Sequence, residues 1–553
     1  MVPTKCQQES GSPRQLLAFL LWDLADLIQV DERRRSFRAK AYRAAIWSLD
    51  QLGPNLDDSA EEILSVPGLG PSMARLISEF SSEGRIAELE DLARRYPAES
   101  GRLRRLPRMT GPILRILKAD AGVDTADDLV VAIETGDAAA VKGVGQATIE
   151  RWLQVLELWH PEGLPAHQAA VLAATMRSHL AEMLSARVAI AGEVRRVTEW
   201  VNRIDLLVET DDPADTRDFL RTSVIGLHKE SGAIEDFFES FAGLELVIFL
   251  TPPAGWGSGL IRATGPPAHL QELGEVGMHS TEEAAYESVG ARWVPPPIRE
   301  TEHIGSVPQD LLLPEMIRGD LHVHSAASPD GRMSLEEIVE NLSGAGLEYA
   351  VITDHTIGLR FGGLDANGLW RQREEIDSVN RRYPDFALFQ GAEVNIDRDG
   401  ALDINDATLD SLDLVVAGVH SHFDLSENEQ TSRVLRGLSH PAIRVLAHPT
   451  GRRIGLRPPL RLEIERVFEA AHQHGVALEA NGHRDRLDLS SDSARRAADA
   501  GALLAANSDA HRPHEFANIG NAVATLQRAR VERTSVVNAL PLEGFRLWLA
   551  HRP

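Results

Sequence analysis

Nine side chains in the last part of the chain are of the types that hold metal ions. They are His322 and His324 in GDLHVHS, Asp330 in SPDGRMS, His355 in VITDHT, Glu393 in QGAEVNI, His420 in AGVHSHF, His448 in LAHPTGR, and Asp509 and His511 in ANSDAH. Neutral imidazole and carboxylate suit borderline and hard divalent cations. A single histidine at a strand end is usually just a satisfied polar residue, and one HxH is modest evidence. Nine such residues, mostly at the ends of apolar runs, point to a multi-metal hydrolytic centre.

The elements that must position them alternate. YAVIT, FALFQ, LDLVVAG, IRVLA, VALEA and ALLAAN read as short strands, with helical stretches such as SLEEIVENLSGAGL and RLEIERVFEAAHQHG between them. Such alternation predicts a parallel α/β sheet or barrel whose site gathers at strand C-termini.

The motifs and their order resemble the polymerase-and-histidinol-phosphatase (PHP) phosphoesterases over residues 316–553. That resemblance implies a distorted (β/α)7 barrel binding three divalent ions (Mn, Zn or Fe). Glu393 would bridge two of them. His322, His324 and Asp509 would complete one site, and Asp330, His355, His420, His448 and His511 would serve the others. Glu393, His420, Asp509 and His511 are the expected catalytic residues. Pro329 is a one-residue insertion relative to the family and should shift Asp330 slightly. Arg452 in HPTGR and Arg486 in RDRLDLS are candidate substrate contacts, since a guanidinium grips phosphate with two donors. His422 and His483 lie near enough in sequence to touch substrate. His440, His472, His474 and His514 match no ligand position.

Composition is that of an ordinary multidomain protein: 553 residues, 43% hydrophobic and 25% charged. Cys6 is the one cysteine, which removes an internal disulfide and fits a reducing compartment. LLAFLLWDLADLIQV is too short for a membrane span and carries Asp23 and Asp26. The expectation is a cytoplasmic protein with no membrane association. A net charge of −25 argues against general coating of nucleic acid. Basic residues nevertheless cluster in ERRRSFRAKAYR and GRLRRLPR, leaving DNA contact through the N-terminal end open.

Two segments of the front half, VPGLGPSMARLISEF and KGVGQATIERWL, have the helix-hairpin-helix pattern, with Gly68 and Gly70, then Gly143 and Gly145, as the turns. Such turns aim backbone N–H groups at a DNA phosphate without reading sequence. RMTGPILRIL around Gly111 is a weaker copy. The segment RVAIAGEVRRVTEWVNRIDLLVET then resembles the GS-x-RR…GDIDILV nucleotidyltransferase motif of family X DNA polymerases. TPPAGWGSGLIRATGPPAHLQEL and EEAAYESVGARWVPPPIRE continue the likeness toward a PHP domain.

The chain is thus similar to a bacterial polymerase X with an α+β palm whose carboxylates have decayed. Arg203 replaces the first, Asp205 remains, and the third falls at Val247, with Glu245 two places upstream. Glu193 replaces the motif serine. Because a guanidinium repels Mg²⁺, Arg203 should pair with Asp205 and leave the palm a scaffold. Among Lys5, Lys40, Lys118 and Lys142, Lys40 in FRAKAYR reads as a phosphate contact and not as a lyase nucleophile.

The expected organisation is multidomain. An α-helical helix-hairpin-helix region (1–96) precedes a fingers-like helical region with the second hairpin (97–164), the degenerate palm (165–272), a reduced thumb and linker (273–315), and the PHP barrel (316–553). The expected activity is metal-dependent phosphoester hydrolysis, as 3′-5′ exonuclease or 3′-end processing of DNA ends or gapped duplex. The alternatives are a small-molecule phosphatase and a non-catalytic DNA-binding scaffold.

Overall fold

The structure, a computed structural model, describes residues 13–551 apart from 32–36, 50–51, 54–55, 84, 97–100, 102, 105, 157–162, 224–228, 232–234, 240–244, 301–303, 305–306 and 359–361. Lys5, Cys6, residues 32–36 of the first basic run, and Arg102 and Arg105 of the second lie outside the described residues. No helix among the described residues is long and apolar enough to cross a membrane.

Both predicted hairpins form. In the first, helix α1 (Ala60–Ser65) starts at a Ser59/Glu62 capping box and turns through Gly68 into helix α2 (Pro71–Glu83). Gly68 has φ +93, and a side chain there would also meet the Ser48 hydroxyl, so the turn requires glycine. α2 buries Met73, Ala74, Leu76, Ile77 and Phe80, the spacing of one helical face. The second hairpin repeats the device, with Gly143 at φ +96 between helix α3 (Asp137–Ala140) and helix α4 (Gln146–Leu156). Gly111 differs: a Cβ there would lie 2.4 Å from the Gln29 carbonyl oxygen, so this weaker copy is a close helix–helix contact.

The region expected to be a palm contains a five-stranded sheet in the order β1-β2-β5-β4-β3. Its strands are β1 (Val188–Ile190), β2 (Arg203–Glu209), β3 (Lys229–Ser231), β4 (Glu235–Glu239) and β5 (Glu245–Thr251). The two long strands β2 and β5 run parallel, with Arg203 opposite Glu245 and Asp205 opposite Val247. Glu282, the first residue of a helix at Glu282–Ser288, anchors two arginines beside this sheet. Arg195 grips it with two bonds of 2.8 and 2.7 Å, and the fully buried Arg299 donates at 2.9 Å. Burial alone would raise the Glu282 pKa, but the two guanidiniums bring it down to about 2.

A folded pKa below the 4.5 usual for a glutamate makes this stabilisation complete above about pH 4.5, and it is lost as pH falls toward 2. Glu282→Gln is therefore expected to cost about 3 kcal/mol at pH 7, because it leaves Arg299 buried without its counter-charge. Urea denaturation at both pH values checks this; the gap to the parent protein should narrow near pH 3.

The C-terminal region is a seven-stranded, all-parallel sheet in sequential order. Its strands are β6 (Gly319–Val323), β7 (Tyr349–Ile352), β8 (Ala387–Asn395), β9 (Leu414–Gly418), β10 (Ile443–Leu446), β11 (Ala477–Asn481) and β12 (Leu504–Asn507). A Val323–Ala510 bridge just beyond β12 brings the last strand back to the first, so the sheet closes into a barrel. Alternate strand residues point inward. At the N-terminal end these are Val351, Val416, Val445, Ala477 and Ala505, plugged by Phe545 of the C-terminal helix. One step further along, the inward positions carry Glu393, Glu479 and Asn507. The apolar half seals the barrel and the polar half becomes the floor of the site.

Candidate metal centre

All nine candidate ligands come together at the C-terminal mouth of the barrel. Glu393 is their hub. One of its oxygens, Oε1, lies 2.9 Å from His420 Nε2 and 3.0 Å from His448 Nε2. The other, Oε2, lies 3.3 Å from His322 Nε2, 3.5 Å from His324 Nε2 and 3.0 Å from His355 Nδ1. Asp509 Oδ1 closes the second group at 3.4 Å from both His322 and His324. A third group forms around Asp330 Oδ2, at 3.6 Å from His355 Nε2 and 3.4 Å from His511 Nε2. The loop accommodates Pro329: Ser328 Oγ donates to Asp330 Oδ1 at 3.1 Å, keeping this carboxylate within the group.

These separations fit divalent ions. A tetrahedron with bonds of about 2.0–2.1 Å has edges of roughly 3.3–3.4 Å. Protons alone satisfy the cluster poorly. His322 Nε2 faces His324 Nε2 at 3.1 Å, while burial, with His511 and His355 nearby, pushes His324 down to about 3. Burial opposes charge on His322 too, yet Glu479, Asp509 and Glu393 hold it well above the usual imidazole value. Burial likewise disfavours the Glu393 carboxylate, but His420, His355 and His322 keep it well below its normal range. A cation between these donors would relieve contacts that now rest on shared protons. His448 and Asp509 have left-handed backbones (φ +29 and +55), a local strain of about 1 kcal/mol or more each that functional sites commonly carry.

Several residues that orient the ligands were not singled out from sequence. Glu479, fully buried on β11, lies 2.7 Å from His322 Nδ1 and accepts from the His448 backbone N–H at 2.6 Å. It thereby turns His322 Nε2 toward the cluster. Asn481 Nδ2 donates to Asp509 Oδ2 at 3.0 Å. Asp354 accepts from the Ser325 backbone N–H at 2.6 Å, fixing the loop after His324. The one signal for Glu479 was an acidic residue inside the apolar run VALEAN. Glu479→Gln is expected to weaken metal binding by about 10- to 100-fold. Calorimetric titration with Zn²⁺ or Mn²⁺ checks it, and unchanged affinity would remove Glu479 from this role.

The candidate substrate arginines part company. Arg486 lines the cavity of about 670 Å3 over the metal centre, 3.5 Å from Asp509. Arg452 is not among that cavity's lining residues. Its guanidinium binds Glu199 of the palm region at 2.7 and 3.2 Å and the carbonyls of Arg486 and Leu487. Arg452, expected to grip phosphate, thus has its donors on the contacts that fasten the barrel loop to the neighbouring region. Of the two further histidines, His483 lines the cavity and lies 2.6 Å from Asp485, whereas His422 is not among the lining residues.

In the palm sheet, Arg203 Nε lies 2.8 Å from Asp205 Oδ1. Burial pushes Asp205 up to about 7 even with Arg203 beside it. Val247 is fully buried directly opposite, and Glu245 stands exposed beside Arg203 at the strand end. Glu193 accepts from the backbone N–H of Asn202 at 2.6 Å and of Arg203 at 3.3 Å. Its carboxylate thus occupies donors at the head of β2.

Comparison with known proteins gives consistent matches. The family model for a helix-hairpin-helix domain matches residues 12–86. The DNA polymerase/3'-5' exonuclease PolX of Bacillus subtilis (strain 168) is 30% identical over 548 residues, covering 93% of this chain and 95% of that protein. A probable phosphatase of Syntrophotalea carbinolica is 30% identical over 231 residues, 40% of this chain and 90% of its own length. Among solved structures, a histidinol phosphate phosphatase from Lactococcus lactis, complexed with zinc, L-histidinol and phosphate, covers 38% of this chain and 93% of that one. Its identity is 18% and its TM-score 0.31.

Proposed function

The chain belongs to the PolX family, the family X DNA polymerase/3′-5′ exonucleases that carry a PHP domain, and from that premise we propose that it hydrolyses phosphoesters with divalent metal ions at the barrel mouth, trimming DNA 3′ ends in repair. The observation that carries this reading is the convergence of nine imidazoles and carboxylates at the barrel mouth, five of the imidazoles within 3.5 Å of Glu393. Three ions (Mn²⁺, Zn²⁺ or Fe²⁺) is the loading proposed, with Glu393 spanning two of the donor groups. Bound there, they would supply an acidified water as nucleophile and positive charge for the phosphoryl oxygens. The chain's own side chains do the rest. Arg486 presents a guanidinium to the phosphate from the cavity wall. His420 and His511, the most exposed imidazoles of the cluster, face substrate and orient the scissile bond. Asp509, held by Asn481 and Arg486, fixes the His322–His324 side of the site. The hairpin turns at Gly68, Gly70, Gly143 and Gly145 hold the DNA backbone, with 3′ ends or gapped duplex as the substrate form.

The match to probable phosphatases over the barrel favours a second reading, hydrolysis of small phosphomonoesters. Purified, metal-supplemented protein offered 3′-labelled single-stranded and gapped DNA, in parallel with a phosphomonoester panel, separates the two. Stepwise shortening of DNA from the 3′ end is expected; turnover of monoesters alone would overturn the exonuclease reading.

A further inference from the structure

Two cavities at the barrel rim meet at one aromatic–guanidinium pair. The larger lies over the metal centre; the smaller, about 420 Å3, separates the barrel from α4 of the second hairpin, with Ala147, Glu150 and Arg151 on one wall. Phe423 and Arg457 line both. The Arg457 guanidinium carbon sits 3.8 Å from the centre of the Phe423 ring, and Arg457 Nε donates to the Gly451 carbonyl at 2.8 Å. Gly451 in turn donates its N–H to the His448 carbonyl at 2.8 Å. It adopts φ +59, and a Cβ there would come within 3.2 Å of the Phe423 ring. The pair is therefore built onto the two loops that carry His420 and His448: Phe423 lies three residues beyond His420, and Arg457 is tied back to His448 through Gly451.

Arg457 also differs from its neighbouring arginines in its pairing. Arg453 pairs with Asp485, Arg452 with Glu199 and Arg151 with Asp424. Among the described residues no carboxylate lies within ion-pair distance of Arg457. Burial, with Arg486 and Arg453 nearby, pushes it down to about 10 against the opposing pull of Asp485 and Asp488. A cation so placed gains from an anion. An aromatic ring joined to a guanidinium without an ion pair among the described residues, lining both the cavity beside α4 and the cavity over the metal centre, matches what an unpaired nucleotide offers: a base to stack and a phosphate to pair.

We propose that Phe423 and Arg457 form a nucleotide subsite for a single-stranded 3′ end, the base stacking on the pair and the phosphate taking the remaining Arg457 donors. This rests on the 3′-end reading above and deepens it by naming the two side chains that would hold a nucleotide next to the cleaved bond.

The test uses full-length Arg457→Met, Phe423→Ala and Phe423→Trp proteins, with a 3′-labelled oligothymidylate and bis(p-nitrophenyl) phosphate as substrates. For Arg457→Met and Phe423→Ala, the ratio of kcat/KM for oligonucleotide to that for the small diester is expected to fall about tenfold or more, mainly through KM, as for loss of one phosphate contact or one stacked base. Phe423→Trp keeps the ratio. Anisotropy of a labelled short oligothymidylate on EDTA-treated protein should weaken in parallel for the first two variants. An unchanged ratio and unchanged oligonucleotide binding in both would overturn the subsite while leaving the exonuclease reading intact. A parent protein that cleaves the diester but never the oligonucleotide would overturn the exonuclease reading and the subsite with it.

Discussion

Replacing His322 by Ala, or Asp509 by Asn, is expected to abolish hydrolysis of whichever phosphoester the protein accepts, by about a thousandfold or more, and EDTA should do the same. Each change strips a donor that faces Glu393 or His324 across 3.3–3.4 Å, where a shared cation would sit. Residues that merely orient ligands are commonly worth about 10- to 100-fold; a ligand itself should cost more, because the charge that acidifies the attacking water goes with it. His322→Ala also leaves Glu479 buried with its imidazole partner gone, so circular dichroism must accompany the kinetics. Turnover near the parent rate in a folded His322→Ala protein would remove the barrel mouth from the chemistry.

Template-directed primer extension should be undetectable with either Mg²⁺ or Mn²⁺. Nucleotidyl transfer by two metals needs carboxylates clustered on one face. Here Arg203 and Asp205 form an ion pair on β2, and the partner position on β5 is the buried Val247. Burial adds to the loss, holding Asp205 up to about 7, so it is partly protonated at neutral pH. Glu193 places a negative charge on N–H groups at the head of β2. Arg195 and Arg196, the basic pair of the same motif, are engaged by Glu282 and Glu300. Arg203→Asp alone is accordingly expected to restore nothing, since Val247 and Glu193 remain. Extension by the parent protein, free of contaminating polymerase, would show that Glu245 has taken the missing place and would sink the inactive-palm reading.

The ligand set could be read in the chain because most members, Asp330 apart, lie at the end of a short apolar run. Strand period and burial act over a few residues, so VITDHT or ANSDAH announces both its strand and its exposed end. The Arg203–Asp205 pair was legible for a similar reason, since residues two apart on a strand share a face. Sequence thus determined the strand–helix alternation, the two glycine turns, the donor chemistry and the substitution of a guanidinium for a carboxylate.

Tertiary structure alone decided the pairings. Arg452 and Arg486 look equivalent in sequence, each a few residues past a barrel strand; docking against the palm region gives Arg452 to Glu199 and leaves Arg486 in the cavity. Glu479 is one acidic residue in an apolar strand until β11 packs between β10 and β12 and sets it beneath His322 and His448. Which oxygen of Glu393 faces which imidazoles depends on the closure of the sheet, which brings β6 back beside β12. Phe423 and Arg457 lie 34 positions apart and meet through a glycine loop. Local patterning fixes what a side chain is and which way its strand turns it; which distant charge it meets is set by long-range packing, and electrostatic energy depends on that distance.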